Sequence, residues 1–142
     1  LPPSDYPLIE LEPIKYPLVN QFYKRVYKKG LARKNEVVYV LKDKAIICSA
    51  KLKPLDKQLL LTGVACAPEY RGEGYASALL KKLLLIQKQA VYCFPYAHLL
   101  PFYTQLGFFS VDCESQTLPE IIRQKFYTYN KNRNLHLMVY NP

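Results

Sequence analysis

Two glycines one residue apart stand in the segment Arg71-Gly72-Glu73-Gly74-Tyr75-Ala76, between an apolar strand-like run, Leu59 to Ala67, and a stretch of helical period. Glycine reaches φ > 0 without steric cost and lets a ligand come close to the backbone. At a helix N-terminus the unpaired amide N–H groups and the positive end of the helix dipole act together, so the spacing predicts a cradle for a phosphate. A Walker-type loop would need a lysine and a hydroxyl residue directly after its last glycine, where Tyr75 and Ala76 stand. A dinucleotide loop would need a third glycine where Ser77 stands, and Pro68 interrupts its approach. A third phosphate that such a turn could hold is the pyrophosphate of coenzyme A.

Other side chains offer less chemistry. Cys48, Cys66, Cys93 and Cys113 have no CxxC spacing, and three of them fall in strand-like apolar runs, where they read as small buried hydrophobes. His98 and His136 are far apart, so no metal site is expected. The net charge of +9 is partly concentrated in Lys15, Lys24, Arg25, Lys28, Lys29, Arg33 and Lys34, a field that attracts polyanions. Nucleic acid would use that charge and stack on some of the thirteen tyrosines, but no nucleic-acid motif accompanies them. A solvated helix face explains the lysines equally, and coenzyme A is itself an anion that gains from the field.

The elements that must position the glycine turn can be read from period and punctuation. With 142 residues, half of them hydrophobic, the chain is expected to fold as one globular domain, residues 1–142, without linkers or repeats. Its longest apolar runs, such as Leu83 to Ile86, are far too short to span a membrane, and nothing resembles a signal peptide; a cytoplasmic location is the default expectation. The chain opens at Leu1 without methionine, so a few residues are expected before it. Alternation predicts a first strand over Tyr6 to Ile14, and Leu18, Phe22 and Val26 predict a helix stopped by Gly30. Glu36 to Leu41, Ala45 to Leu52 and Leu59 to Ala67 predict an antiparallel meander. After the glycine turn, Ala76, Leu79, Leu80, Leu83 and Leu84 define a helix from which Lys81, Lys82 and Lys88 face away. Ala90 to Phe94 reads as a strand, His98 to Leu106 as a short helix closed by Gly107, and Phe108 to Asp112 as a strand. A helix over Leu118 to Tyr129 would carry a capping box of Thr117 and Glu120, and Leu135 to Tyr140 closes the chain as a strand.

In this order of elements the chain resembles the GNAT superfamily of acyl-CoA-dependent N-acetyltransferases. Two segments carry the resemblance: Val64-Ala65-Cys66-Ala67-Pro68-Glu69-Tyr70-Arg71-Gly72-Glu73-Gly74-Tyr75-Ala76, and Pro101-Phe102-Tyr103-Thr104-Gln105-Leu106-Gly107-Phe108. The resemblance implies an α/β (α+β) fold with a mixed, mostly antiparallel sheet of about seven strands, helices on both faces, and strands splayed at the cofactor site. It implies acetyl-CoA as co-substrate, with the amides of Arg71, Gly72, Glu73, Gly74, Tyr75 and Ala76 on its pyrophosphate and the backbone of Val64 and Cys66 along its pantetheine. The Val64 amide would donate to the thioester oxygen. Tyr103 would hold the proton for the departing sulfur, as a phenol of pKa about 10 can at neutral pH; its alternative is a core tyrosine beneath the glycine that follows. Arg71 would add charge to a phosphate or brace its loop. The acceptor implied is a primary amine, attacked directly within a ternary complex, and such domains often pair as homodimers.

Departures from the family pattern bear on function. Many members place a glutamate on the strand before the glycine turn, where Leu60 and Thr62 stand here. Glu69 in the loop before the turn, and Asp112 and Glu114 after a later strand, read as solvated surface acids, which leaves water-relayed deprotonation of the amine as the alternative to a side-chain base. Tyr96 and Leu99 replace an asparagine and an alanine that contact coenzyme A in many members, with His98 beside them as a polar substitute or an ordinary histidine. The late helix, with Tyr127 and Tyr129, would shape the acceptor pocket or pack the core. Besides the N-acetyltransferase, two readings stay open: an acyl-CoA-binding module that no longer turns over, and a basic nucleic-acid-binding protein.

Overall fold

Prolines set the start of the chain. The computed structural model describes residues 1–27 and 30–142; Lys28 and Lys29 of the basic group lie outside them. Pro2, Pro3, Pro7 and Pro13 confine the expected first strand to β1, Ile9–Glu10, flanked by single 3₁₀ turns at Pro3–Asp5 and Pro13–Lys15. Helix α1, Tyr16–Val26, starts two residues earlier than its apolar period suggests, because Pro17 fits the first turn, where its missing N–H has no partner to lose.

The strands that follow are β2 (Val37–Lys42), β3 (Ile46–Leu55) and β4 (Gln58–Cys66), and α2 (Tyr75–Leu85) opens after the glycine turn. Then come β5 (Val91–Cys93), α3 (Leu100–Gln105), β6 (Phe109–Ser110), α4 (Glu120–Asn130) and β7 (Met138–Tyr140). The strand order is β1-β2-β3-β4-β5-β7-β6 in one seven-stranded sheet. Pairing is antiparallel at β1–β2, β2–β3, β5–β7 and β6–β7, and parallel at β4–β5, where a helical crossover is required. The chain divides into two units, Leu1–Lys53 with Leu61–Ile86, and Pro54–Leu60 with Gln87–Pro142.

Within the first unit, helices cover both faces of the strands. Tyr16, Val19, Phe22 and Tyr23 of α1 pack with Val38 and Val40 of β2 and with Ala65 and Ala67. Strand alternation sends Cys48 the opposite way from Ser49, and the Cys48 sulfur lies 3.7 Å from the Tyr75 carbonyl at the start of α2. Ala78, Leu79, Leu80, Leu83 and Leu84 form the buried stripe of α2. Lys81 is exposed, but Lys82 is half-buried and donates to the Tyr6 carbonyl, tying the N-terminal turn to the helix; Lys88 lies beyond the helix end.

In the second unit, Leu118, Ile122 and Phe126 pack on Leu60, Tyr92, Leu137 and Val139, while Phe108 meets the ring of Tyr140 on the alternate parity of β7. The expected capping box is absent. A proline disfavours helical backbone in the residue before it, so Pro119 excludes Leu118 and becomes the N-cap itself, without a side-chain cap bond. Thr117 instead pairs with Ser115 at 3.1 Å, and Glu120 with Arg123 at 2.7 Å.

One ion pair is buried in the first unit. Lys51 of β3 and Glu36 are 3 % and 4 % exposed at their side chains, 3.4 Å apart. Lys51 also donates to the carbonyls of Gly30 and Leu31, and Glu36 accepts the Arg33 amide at 2.8 Å, so the loop after α1 is fastened to the sheet. Burial pulls the Lys51 ammonium below its ordinary pKa, against the opposing pull of Glu36. Removing only one partner leaves an uncompensated buried charge. Glu36→Ala is therefore expected to cost about 3–5 kcal/mol in urea unfolding, and adding Lys51→Met to recover most of it. Equal losses in the single and double variants would contradict this account.

Candidate functional site

Strand β4 changes character along its length. Leu59 and Leu60 pair with Val91 and Tyr92 of β5, and that pairing stops there, while β4 runs on to Cys66. Leu60 and Leu61 are buried, but every residue from Thr62 to Cys66 is only half-buried. Gly63 lies within this stretch at φ +62°, a conformation that interrupts regular strand geometry and favours glycine.

What holds Gly63 is α1. The Tyr23 hydroxyl, fully buried, donates to the Gly63 carbonyl at 2.7 Å and lies 2.9 Å from the Ser49 hydroxyl. Burial raises the Tyr23 phenol well above its ordinary pKa, so it keeps its proton for that bond. Lys51 passes beneath the same point, its ammonium 5.5 Å from the Tyr23 ring centroid. A Cβ at Gly63 would come 2.8 Å from Lys51 Cε and 3.1 Å from the Tyr23 hydroxyl. Because a trans peptide unit points its C=O and N–H in opposite directions, a Gly63 carbonyl fixed on Tyr23 turns the Val64 amide away from α1.

The glycine turn follows without interruption. Ala67 remains tied to β3 through its amide on the Ile47 carbonyl at 2.8 Å, and Pro68–Tyr70 makes one 3₁₀ turn. Gly72 and Gly74 have φ of +77° and +90°. A Cβ on Gly72 would meet nothing within 4 Å and one on Gly74 only Pro3 Cγ at 4.0 Å. The glycines are thus required by their backbone angles, and the space above them is open to a ligand. Gly74 is the N-cap of α2 and makes no side-chain cap bond, and the first intrahelical bond runs from the Ala78 amide to the Gly74 carbonyl at 3.0 Å. The earlier amides of an α-helix have no acceptor within the helix. This arrangement fits a phosphate group.

The side chains of the turn act as a frame. Arg71 donates from Nε to the Cys66 carbonyl at 3.1 Å and from Nη2 to the Val26 carbonyl at 3.3 Å, joining the end of β4 to the end of α1. Glu73 is exposed. Tyr75 stacks edge-on against Tyr70 and Tyr6, with centroids 5.2 and 5.8 Å away. The Cys66 thiol is pulled below its ordinary pKa chiefly by the hydrogen bond it shares with the Cys48 thiol, against its own partial burial, and further by the Ala76 amide and the Arg71 charge. The same bond and burial push Cys48 up.

Tyr103 belongs to the second unit. It sits on α3, 8 % exposed, with its ring 5.0 Å from Phe102 and 5.4 Å from Phe108. Its carbonyl accepts the amides of Leu106 and Phe108, and Gly107 ends the helix at φ +101°. A Cβ there would press on the Tyr140 ring at 3.3 Å, so glycine is needed for both angle and space.

No acid lines β4. Thr62 Oγ1 is buried with no hydrogen-bond partner among the described residues, and Leu60 is 1 % exposed. Glu114 accepts the Tyr127 hydroxyl, Asp112 accepts the Glu114 amide at 2.9 Å, and Glu69 is exposed. Tyr129 packs against Phe94 and the α4 core, and exposed His98 stacks on Tyr96 at 6.1 Å. Among the described residues no group of three His, Cys, Asp or Glu could hold a metal ion, and no helix is long and apolar enough to cross a membrane. Tyr23, Lys51 and Glu36 escaped the sequence reading; Gly63 carried a signal, a lone glycine inside a strand-like run, which marks a bulge or a close approach.

The sheet and its helices define a mixed α/β fold with an open glycine turn at the N-terminus of α2. Residues 34–109 match the family model of the acetyltransferase (GNAT) domain, and the chain belongs to that family of transferases. Comparison with curated protein sequences returns no match. Among solved structures, the chain is similar to Rv2747 from Mycobacterium tuberculosis in complex with CoA, with TM-score 0.70 and 16% identity over 96% of this chain and 99% of that one. It is also similar to the ribosomal-protein-S18-alanine N-acetyltransferase from Escherichia coli, with TM-score 0.69 and 15% identity over 95% and 92%. The N-acetylglutamate synthase from Neisseria gonorrhoeae, complexed with coenzyme A and N-acetyl-glutamate, gives TM-score 0.67 and 16% identity over 95% of this chain. The chain spans only 34% of the length of that synthase.

The polarised Cys66 thiol gives a measurable signature of the site. Site-resolved alkylation by iodoacetamide across pH should show Cys66 reaching half its maximal rate below the ordinary thiol value of about 8.5. A midpoint at or above that value would mean that the Cys48 and Ala76 contacts do not polarise it.

Proposed function

We propose that the chain transfers the acetyl group of acetyl-CoA to a primary amine by direct attack. The observation that carries this reading is the continuity of β4 with the glycine turn: half-buried backbone from Thr62 to Cys66, then two open glycines at positive φ on a helix N-terminus. When bound, acetyl-CoA supplies the activated acetyl thioester. The amides from Gly72 to Tyr75 hold its pyrophosphate, with Glu73 exposed and the Arg71 side chain spent on bracing the loop. The Arg71 amide donates instead to the Pro68 carbonyl at 3.3 Å, and the Ala76 amide to the Cys66 thiol. The backbone of Val64 and Cys66 pairs with the pantetheine arm along the part of β4 that has left β5.

The Val64 amide, turned away from α1 by the Tyr23 bond, donates to the thioester oxygen as negative charge gathers there. Tyr23 is the positioning residue for that amide. As the amine nitrogen bonds to the carbonyl carbon and the carbon–sulfur bond breaks, Tyr103 gives its phenolic proton to the sulfur and recovers one from solvent. No carboxylate stands on β4 to receive the amine proton, so solvent receives it and turnover rises with pH until the acceptor amine is itself deprotonated. The missing carboxylate also favours a second reading, a domain that binds acyl-CoA without turnover. Thiol release from acetyl-CoA over a panel of amines and peptides separates the two, since a binding module releases none.

Acetyl-CoA at 100-fold excess over its Kd is expected to raise the melting temperature by about 5 °C or more. Gly74→Val should remove that shift, because valine cannot hold φ +90° without strain and its side chain would fill the cradle. A shift retained in the variant would place the phosphates elsewhere.

Two hydroxyl deletions test the chemistry. Tyr103→Phe should lower kcat about 100-fold with little change in acetyl-CoA affinity. Tyr23→Phe should lower kcat about tenfold, again sparing affinity, as one hydrogen bond that aims an oxyanion donor is lost. Unchanged kcat in either variant would remove that residue from its assigned role.

A further inference from the structure

A cavity of about 610 Å³ opens in the first unit, and none of the residues proposed above to hold acetyl-CoA or act in the transfer lines it. One wall is a stripe of α1 formed by Leu18, Gln21, Phe22 and Arg25, spaced i, i+3, i+4 and i+7. The other wall is Ile9 and Leu11 from β1 with Ala45 and Ile46 from the start of β3. Its volume falls in the range, roughly 300–1,000 Å³, of small-molecule sites. Leu18 is 59 % exposed although it faces this hollow, while Leu11 and Phe22 beneath it are packed into the core at 8 % and 4 % exposed. The free apolar surface of the hollow's floor is therefore chiefly that of Leu18.

The charges around this floor are of one sign. Lys15, Arg25, Lys42 and Lys44 line it, and no Asp or Glu does. The acids nearest in sequence, Glu10, Glu12 and Asp43, are exposed and outside the lining. Asp43 and Glu10 act on the Tyr6 and Tyr16 phenols respectively, each raised chiefly by desolvation and further by the neighbouring acid. An apolar trough ringed by four like charges repels cations and leaves a neutral guest with nothing to pair the lysines. We propose that the cavity binds a single-chain amphiphile with an anionic head: the chain lies on Leu11, Leu18, Phe22 and Ile46, and the carboxylate or sulfate meets Lys15, Arg25, Lys42 and Lys44. A free molecule, rather than a membrane surface, suits a hollow that encloses one chain between a helix and a hairpin turn.

Isothermal titration of the full chain with dodecanoate, kept below its critical micelle concentration, tests the site. Saturable one-to-one binding is expected, with dodecanol much weaker and dodecyltrimethylammonium without measurable binding. The double variant Lys42→Glu/Lys44→Glu, both residues exposed, should weaken dodecanoate binding about tenfold or more while keeping its melting temperature. Leu18→Gln should weaken it as well, and acetyl-CoA should leave it unchanged. Equal affinity for the three head groups, no effect of the charge reversal, displacement by acetyl-CoA, or binding to phosphatidylglycerol vesicles without binding to dodecanoate would each overturn the proposal.

Discussion

A buried tyrosine hydroxyl holds one carbonyl in the middle of a strand, and the geometry around β4 depends on it. Tyr23 reaches from α1 to Gly63 at 2.7 Å, with Lys51 packed beneath and Glu36 balancing its charge. The arrangement requires glycine twice over: φ is +62°, and a Cβ would strike Lys51 Cε at 2.8 Å. Three elements therefore have to agree before β4 can take its shape: the helix that carries Tyr23, the strand that carries Lys51, and the loop fastened by Glu36. A polar cluster of this kind is costly unless each member is satisfied, and here each has a partner.

From Gly63 the backbone leads directly to the proposed cofactor grip. The strand remains half-buried to Cys66, Arg71 ties its end to α1, and the two open glycines deliver the chain to the N-terminus of α2. Helix α1 thus touches the proposed chemistry at two places, through Tyr23 on the Gly63 carbonyl and through the Val26 carbonyl that receives Arg71. Side-chain charge contributes less than the basic composition suggests, because the arginine nearest the turn is committed to backbone carbonyls. The donor set proposed for phosphate is the backbone.

Much of this was legible in the residues. The glycine pair at Gly72 and Gly74, the buried stripe of α2 and the stop at Gly107 each follow from a local rule of backbone angle or period, and each stands where that rule puts it. Boundaries slipped where proline intervened: the first strand shrank to Ile9–Glu10, and Pro119 displaced the cap expected at Thr117. The Tyr23, Lys51 and Glu36 cluster was not legible, for a physical reason. A lysine inside a strand and a tyrosine on an amphipathic helix look the same in sequence whether they face solvent or one another, and only the packing of α1 across β3 and β4 decides. The absence of a carboxylate from β4 was legible, and the structure adds that Glu114 and Asp112 are committed to local partners.

The central claim is that β4 from Gly63 onward and the amides of the glycine turn form one continuous grip on acetyl-CoA. Amide nitrogen–proton NMR spectra recorded through a titration with acetyl-CoA test it most directly. The account predicts saturable downfield shifts of the Val64 amide and of the amides from Gly72 to Tyr75 with a single Kd, and loss of the Val64 shift alone in Tyr23→Phe. Shifts confined to other residues, or a Val64 amide that does not move as the turn saturates, would contradict it.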